Sequence, residues 1–127
     1  NVVTDPATIR KDLEYYAPRY APDGPAMGWS VLSILYTRLG EPEKGYEWFV
    51  KSYKPNEVPP FGVLAETAGG TNPYFATGAG GMLQAVINGF GGLDITDAGV
   101  VQRSAKLPKK WRSLTLKGVG PQGKTIT

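Results

Sequence analysis

The chain of 127 residues contains no cysteine and no histidine. Without cysteine there are no disulfides and no thiolate chemistry, and without histidine there is no histidine general base and no usual zinc site. Carboxylates are therefore the main side chains left for acid–base work.

Long apolar runs are also missing. No stretch reaches the length of about 18 apolar residues that a membrane-spanning helix needs, so we expect no membrane partner. The first four residues, NVVT, lack the basic and apolar parts of a signal peptide. With 41% hydrophobic and 20% charged residues, the composition is that of one compact globular domain with a real core.

Charge is modest, with a formal net charge of +3 at pH 7. The basic residues are scattered except for one cluster, which falls in a predicted β segment and which we interpret as a solvated strand face. Nucleic acid is a minor alternative, and we expect no nucleic-acid partner. The cluster consists of Lys106, Lys109, Lys110, Arg112 and Lys117.

Glu66 stands out because it is the one charged residue in the stretch 59–73, PPFGVLAETAGGTNP. A carboxylate in such a setting is either a structural hydrogen-bond acceptor or a catalytic group. Residue type alone favours the structural interpretation, because surface acids greatly outnumber catalytic ones.

Four helices are predicted before Gly92. Asp5 followed by Pro6 is typical of a helix start, and apolar residues then recur at helical spacing up to Pro18. Further helices are predicted over 26–39, 42–53 and 73–88. The fourth helix is rich in glycine, at a cost of about 1 kcal/mol each. We therefore expect close backbone packing or a nearby ligand to compensate.

After Gly92 the helical period disappears, and short strands are predicted over 99–105, 111–117 and 124–127. Three or four short strands make a poor sheet alone. The aromatic character of the helices also calls for more neighbours than this chain supplies. We infer from both features that the chain is a piece of a larger architecture.

Four ordered motifs resemble the C-terminal part of glycoside hydrolase family 65, and the resemblance covers essentially the whole chain. The motifs are GPAMGWS at 24–30, AETAGGT at 65–71, FATGAGGMLQAV at 75–86 followed by GFGGL at 89–93, and LP at 107–108 before Trp111.

This resemblance implies a mainly α fold with a small C-terminal β part. Residues 1–92 would be the last helices of an (α/α)6 barrel, and residues 93–127 would form a small β domain, incomplete or at the edge of a sandwich. The predicted change from helices to strands at Gly92 agrees with that division.

The family contains inverting α-glucoside hydrolases and inverting disaccharide phosphorylases, and two features separate them. In the phosphorylases a serine pair that helps to hold phosphate stands where this chain has DGPA at 23–26. In the hydrolases an acid at the position of Glu66 is implied to be the general base. The resemblance therefore favours hydrolysis.

An inverting glycosidase also needs a general acid. In the family that acid lies on an earlier barrel helix, outside this chain. The resemblance thus predicts a carbohydrate substrate, the remaining N-terminal part of the enzyme as partner, and no metal or organic cofactor. A phosphorylase of the same fold, or a non-catalytic carbohydrate-binding or interaction module, is the alternative.

With a carbohydrate substrate implied, the residues near Glu66 are candidates for contacting it. Gly70 would let the backbone approach a sugar, and Thr71 or Asn72 would donate a hydrogen bond; alternatively, Asn72 and the following proline only begin a helix. Trp29 would stack on a glucose ring, although a tryptophan within a predicted helix is more often part of the core. We predict Gly70, Thr71, Asn72 and Trp29 as substrate-binding residues.

Overall fold

A computed structural model describes residues 4–70, 72–103 and 105–127 of the chain. The helices precede Gly92, and most of the strands follow it. The helices are α1 (Pro6–Tyr16), α2 (Ala26–Arg38), α3 (Pro42–Lys51) and α4 (Ala76–Gln84), with 3-10 turns at Ala17–Arg19 and Lys54–Asn56 and a π-helical segment at Ala85–Phe90. The strands are β1 (Glu57–Val58), β2 (Val63–Leu64), β3 (Leu93–Thr96), β4 (Gly99–Gln102), β5 (Leu116–Val119) and β6 (Lys124–Ile126).

The predicted start of α1 is confirmed. The carboxylate of Asp5 accepts hydrogen bonds from the backbone N–H and the hydroxyl of Thr8, at 2.9 and 2.7 Å. These two bonds, the hydroxyl bond first, hold the pKa of Asp5 below its ordinary value. Pro6 occupies the first helical position, where its missing N–H costs nothing.

Helix α2 lies at the centre of the packing and contacts both α3 and α4. It contributes Trp29, Leu32 and Tyr36 to one core cluster, which also contains residues of α1. Phe49 and Phe90 form a second cluster, against which Trp111 packs at ring-centroid distances of 5.7 and 4.8 Å. The segment after β4 is thereby fixed to the helical part.

Small residues allow the helices to approach each other closely. A Cβ at Gly45 of α3 would lie 3.0 Å from the backbone oxygen of Ser33 and would collide with the hydroxyl of Thr37. Gly81 of α4 faces Ser30 in the same way. Gly80, in contrast, meets open space, so the predicted close packing of α4 holds for Gly81 and not for Gly80.

Within the described residues the strands form three separate two-stranded antiparallel sheets, β1 with β2, β3 with β4, and β5 with β6. The sequence did not predict β1, β2 or β3. The strand predicted over 111–117 is wrong up to residue 115, because Trp111 packs into the core and β5 begins at Leu116. The structure therefore has a mainly α architecture with small β pairs.

The basic cluster is exposed, as its interpretation as a solvated face requires, but most of it is not on a strand. Lys106, Lys109, Lys110 and Arg112 lie in irregular segments, and Lys117 is in β5. None of the helices in the described parts of the chain has the length and apolar character that crossing a bilayer requires.

We expect Gly45→Ala and Gly80→Ala to change stability in opposite directions. The added methyl at position 45 meets Ser33 and Thr37, and overpacking of this kind costs about 1–3 kcal/mol. At position 80 the methyl has no atom of the described residues within 4 Å. Replacing glycine by alanine inside a helix then favours folding by up to about 1 kcal/mol. Urea unfolding of both variants and the parent measures the difference; equal shifts would contradict this packing.

Candidate active site

Glu66 lies near the start of a loop that is fixed from two sides. We call residues 65–75 the Glu66 loop. Its backbone oxygen accepts hydrogen bonds from the side-chain amide of Asn56 at 3.0 Å and from the N–H of Ala26 at 3.2 Å. The loop therefore connects the start of α2 with the 3-10 turn that ends at Asn56.

The buried side chain of Asn56 is the main clamp on this loop. It is 2% exposed, and its amide donates to the backbone oxygens of Ala65 and Glu66. The Ala65 N–H in turn donates to the Asn56 backbone oxygen at 2.9 Å. An amide supplies two donors from one nitrogen, so a single side chain holds two successive peptide units.

The carboxylate of Glu66 is oriented from within the same loop. Glu66 is half-buried, and its Oε2 accepts a hydrogen bond from Nδ2 of Asn72 at 2.5 Å. Asn72 adopts a left-handed backbone conformation with φ 47°, which asparagine tolerates better than most residues. Asn72, predicted from the sequence as a substrate-binding residue, thus contacts the predicted catalytic acid.

The far end of the Glu66 loop pairs with its beginning. Ala65 and Pro73 form an antiparallel bridge, and the N–H of Phe75 donates to the Leu64 backbone oxygen at 2.8 Å. Helix α4 begins immediately afterwards at Ala76, three residues later than predicted. The left-handed conformations of Asn72 and Tyr74, with φ 47° and 64°, prevent an earlier helix start.

Gly70 lies in the Glu66 loop with φ 80°, a conformation that favours glycine. Its N–H donates to the backbone oxygen of Thr67 at 3.1 Å. Thr71, the other predicted hydrogen-bond donor in this loop, lies outside the described residues.

Trp29 is a core residue. It is 7% exposed, stacks on Trp48 at 5.3 Å between centroids, and meets Tyr20 edge-to-face at 4.4 Å. The ring also borders a cavity of about 190 Å³ that Asn56 and Ala68 help to line. Its contact with a sugar stays a prediction.

Two residues of this region were not predicted. Asn56 lies between charged residues and prolines, and no spacing in the sequence indicates that its amide reaches residues 65 and 66. Tyr20 holds the start of α2 by donating its hydroxyl hydrogen to the Pro25 backbone oxygen at 2.6 Å, and burial raises the pKa of that hydroxyl. Both act through tertiary contacts.

The arrangement offers a carboxylate with a defined orientation, an amide that bonds to it, and glycine backbone beside it. These groups suit recognition of hydroxyl-rich ligands or deprotonation of a bound water. Among the residues that the structure describes, no group of three or more acidic side chains is placed to hold a metal ion.

Curated relatives give the region a chemical context. The chain is 54% identical over 124 residues to a kojibiose hydrolase of Mucilaginibacter mallensis and 51% identical over 127 residues to one of Flavobacterium johnsoniae. It is 38% identical over 115 residues to a protein-glucosylgalactosylhydroxylysine glucosidase of Danio rerio. A further relative is named as a kojibiose phosphorylase.

These matches cover 97%, 98% and 90% of this chain but only 18%, 19% and 17% of the three relatives. The chain therefore spans less than a fifth of the length of the relatives it matches. No family model matches the sequence. The relatives are glucoside hydrolases and a phosphorylase, which supports a glycoside hydrolase-like function.

We expect Asn56→Ala, in the full-length protein that contains this chain, to lower both stability and turnover. Removing a hydrogen-bonding partner from a buried site costs about 1–3 kcal/mol, and the freed loop would no longer place the carboxylate. Asn88→Ala is the matched control, because Asn88 also donates from its amide to a backbone oxygen, that of Leu93. Thermal unfolding and turnover per folded molecule are measured on both variants.

Loss of stability in both variants, with loss of turnover only in Asn56→Ala, is the expected result. Equal turnover per folded molecule in the two variants would show that Asn56 supports the fold without positioning the site.

Proposed function

We propose that this chain is the C-terminal part of an inverting α-glucoside hydrolase of glycoside hydrolase family 65, with Glu66 as its general base. The observation that carries the proposal is the Glu66 carboxylate, bonded to Asn72 on a loop whose backbone Asn56 and Ala26 hold. The similarity to named kojibiose hydrolases over nearly the whole chain supports it.

In this mechanism Glu66 removes a proton from the water that attacks the anomeric carbon. A second carboxylic acid, about 6.5–9.5 Å away across the sugar, protonates the leaving oxygen. We place that acid in a part of the polypeptide outside this chain. The substrate class is an α-linked glucose disaccharide or a glucosyl conjugate, and Gly70, Thr71, Asn72 and Trp29 are the proposed sugar contacts.

The same proposal assigns residues 1–92 to the last helices of an (α/α)6 barrel and residues 93–127 to a small β domain. Apolar side chains on the helices support the first assignment. Val31 of α2 is 53% exposed, although the other apolar side chains of this helix are buried or half-buried, and Leu83 of α4 is 55% exposed. Further barrel helices would cover them.

We expect Glu66→Gln, in the full-length protein that contains this chain, to fold normally and to lose about 10²–10⁴-fold in hydrolysis. The glutamine oxygen keeps the bond from Asn72, but the amide cannot take a proton from water. Glu47→Gln, which replaces an exposed acid on α3, is the matched control and keeps full turnover.

Azide is a small nucleophile that needs no base. We expect it to restore part of the glucosyl transfer in Glu66→Gln, with inverted stereochemistry.

Melting temperature and turnover are measured together on these variants. Near-normal turnover of Glu66→Gln would exclude the base assignment, and a lowered melting temperature with intact turnover would make Glu66 a structural acceptor.

Phosphorolysis is the second candidate, because one relative is a kojibiose phosphorylase. The loop 23–26 contains no serine, so two hydroxyl donors expected for phosphate are missing. We expect the protein to release free glucose at the same rate with and without inorganic phosphate, and no glucose 1-phosphate. Phosphate-dependent turnover with formation of glucose 1-phosphate would assign the chain to the phosphorylase branch.

A further inference from the structure

Tyr74 combines two properties that seldom occur together. Its side chain is 79% exposed, and its backbone has φ 64°, in the left-handed region that bulky residues seldom adopt. An exposed tyrosine contributes little to the core of the described chain, so packing within that chain does not account for the strained backbone. Such strain concentrates at ligand-binding and catalytic positions.

The position of Tyr74 is tied to that of Glu66. The residue before it, Pro73, forms the bridge to Ala65, and the residue after it, Phe75, bonds to the Leu64 backbone oxygen at 2.8 Å. Asn72, two residues before Tyr74, donates to the Glu66 carboxylate. The backbone of Tyr74 is therefore fixed on both sides against the segment that carries the candidate base.

The surface beside Tyr74 is apolar. Tyr74 borders an open depression of about 210 Å³, together with Val63, Leu64, Phe75, Ala76 and Ala79, and none of these residues is charged. An aromatic ring at the edge of such a depression offers a flat apolar face, and its hydroxyl offers a donor and an acceptor. A pyranose ring matches this chemistry, with C–H groups on its faces and hydroxyls at its rim.

We propose that Tyr74 is a sugar-contacting residue that stacks on the glucosyl unit served by Glu66; this inference rests on the proposed function. In an inverting hydrolase the base acts on the side of the anomeric carbon opposite the leaving group. Tyr74 lies on the loop that carries the base, so we place its ring on the side of the glucosyl unit rather than on the side of the leaving group.

The competing role for Tyr74 is packing against another part of the same polypeptide. Tyr74→Asn separates the two roles, because asparagine tolerates the left-handed conformation and removes the ring. If Tyr74 contacts the sugar, the variant keeps or raises the melting temperature and loses sugar affinity. If Tyr74 packs against protein, the melting temperature falls and affinity per folded molecule is unchanged.

The test uses the full-length protein, with Tyr74→Asn, Tyr74→Phe and the control Ile95→Asn. Ile95 is an equally exposed apolar residue, on β3. We measure the KM for an α-linked glucose disaccharide, the Kd for glucose by calorimetry in parent and variants, and the melting temperature. Loss of one aromatic contact predicts a rise of about 10-fold in KM and Kd for Tyr74→Asn. Tyr74→Phe, which keeps the ring, stays within about 2-fold of the parent.

The two proposals fail in different ways. Unchanged KM and Kd in Tyr74→Asn, with a parent that hydrolyses the disaccharide and depends on Glu66, overturn the role of Tyr74 alone. A parent that binds glucose through Tyr74 without hydrolysing the disaccharide overturns the proposed function and leaves the sugar contact. Absence of glucose binding by the parent overturns the role of Tyr74 as well.

Discussion

The amide of Asn56 is the interaction on which the organisation of the candidate site depends. It is buried, and it bonds to two successive backbone oxygens of the segment that begins the Glu66 loop. Leaving the buried Asn56 amide without an acceptor would cost more free energy of folding than the two hydrogen bonds contribute. Other positions of the Glu66 loop, in which these bonds are broken, are therefore strongly disfavoured. The Ala26 N–H adds a bond from the start of α2, where no earlier helical carbonyl is available to it.

Helix α2 extends this constraint into the rest of the helical part. Its start bonds to Glu66, its middle packs Trp29 and Tyr36 on Trp48, and Thr37 near its end lies against Gly45. Close contacts at Gly45 and Gly81 fix the neighbouring helices relative to α2. Because protein interiors are close-packed, a shift of one of these helices would also displace the Glu66 loop.

The sequence predicted the helices well because their signals are local. Asp5 caps α1 by a bond that lies within one turn, and Pro6 at the first helical position is a signal of the same local kind. The strands were predicted less well. Trp111, in a segment predicted as a strand, is held by aromatic contacts with Phe49 and Phe90, which are distant in sequence.

For the candidate site, too, some residues were predicted from the sequence and others were not. Glu66 was predicted from the sequence because it is an isolated charge in an uncharged stretch and because the family resemblance implies a general base there, and Asn72 was predicted because it follows the glycines. The clamp of Asn56 was not found, since its amide reaches residues nine and ten positions away through a fold that no periodicity encodes. The left-handed backbone of Tyr74 was not predictable either, because tyrosine is a residue for which sequence rules expect negative φ.

A long acidic side chain on a loop would ordinarily be a poor catalytic group, since catalysis depends on placement to within a fraction of an ångström. Here the backbone of Glu66 is bonded to two other elements, and its carboxylate is bonded to Asn72. Asn72 makes this bond from a left-handed backbone, and the residue after it, Pro73, forms the bridge to Ala65. The left-handed backbone at residue 72 thus belongs to the arrangement in which a short loop bonds its own amide to its own acid.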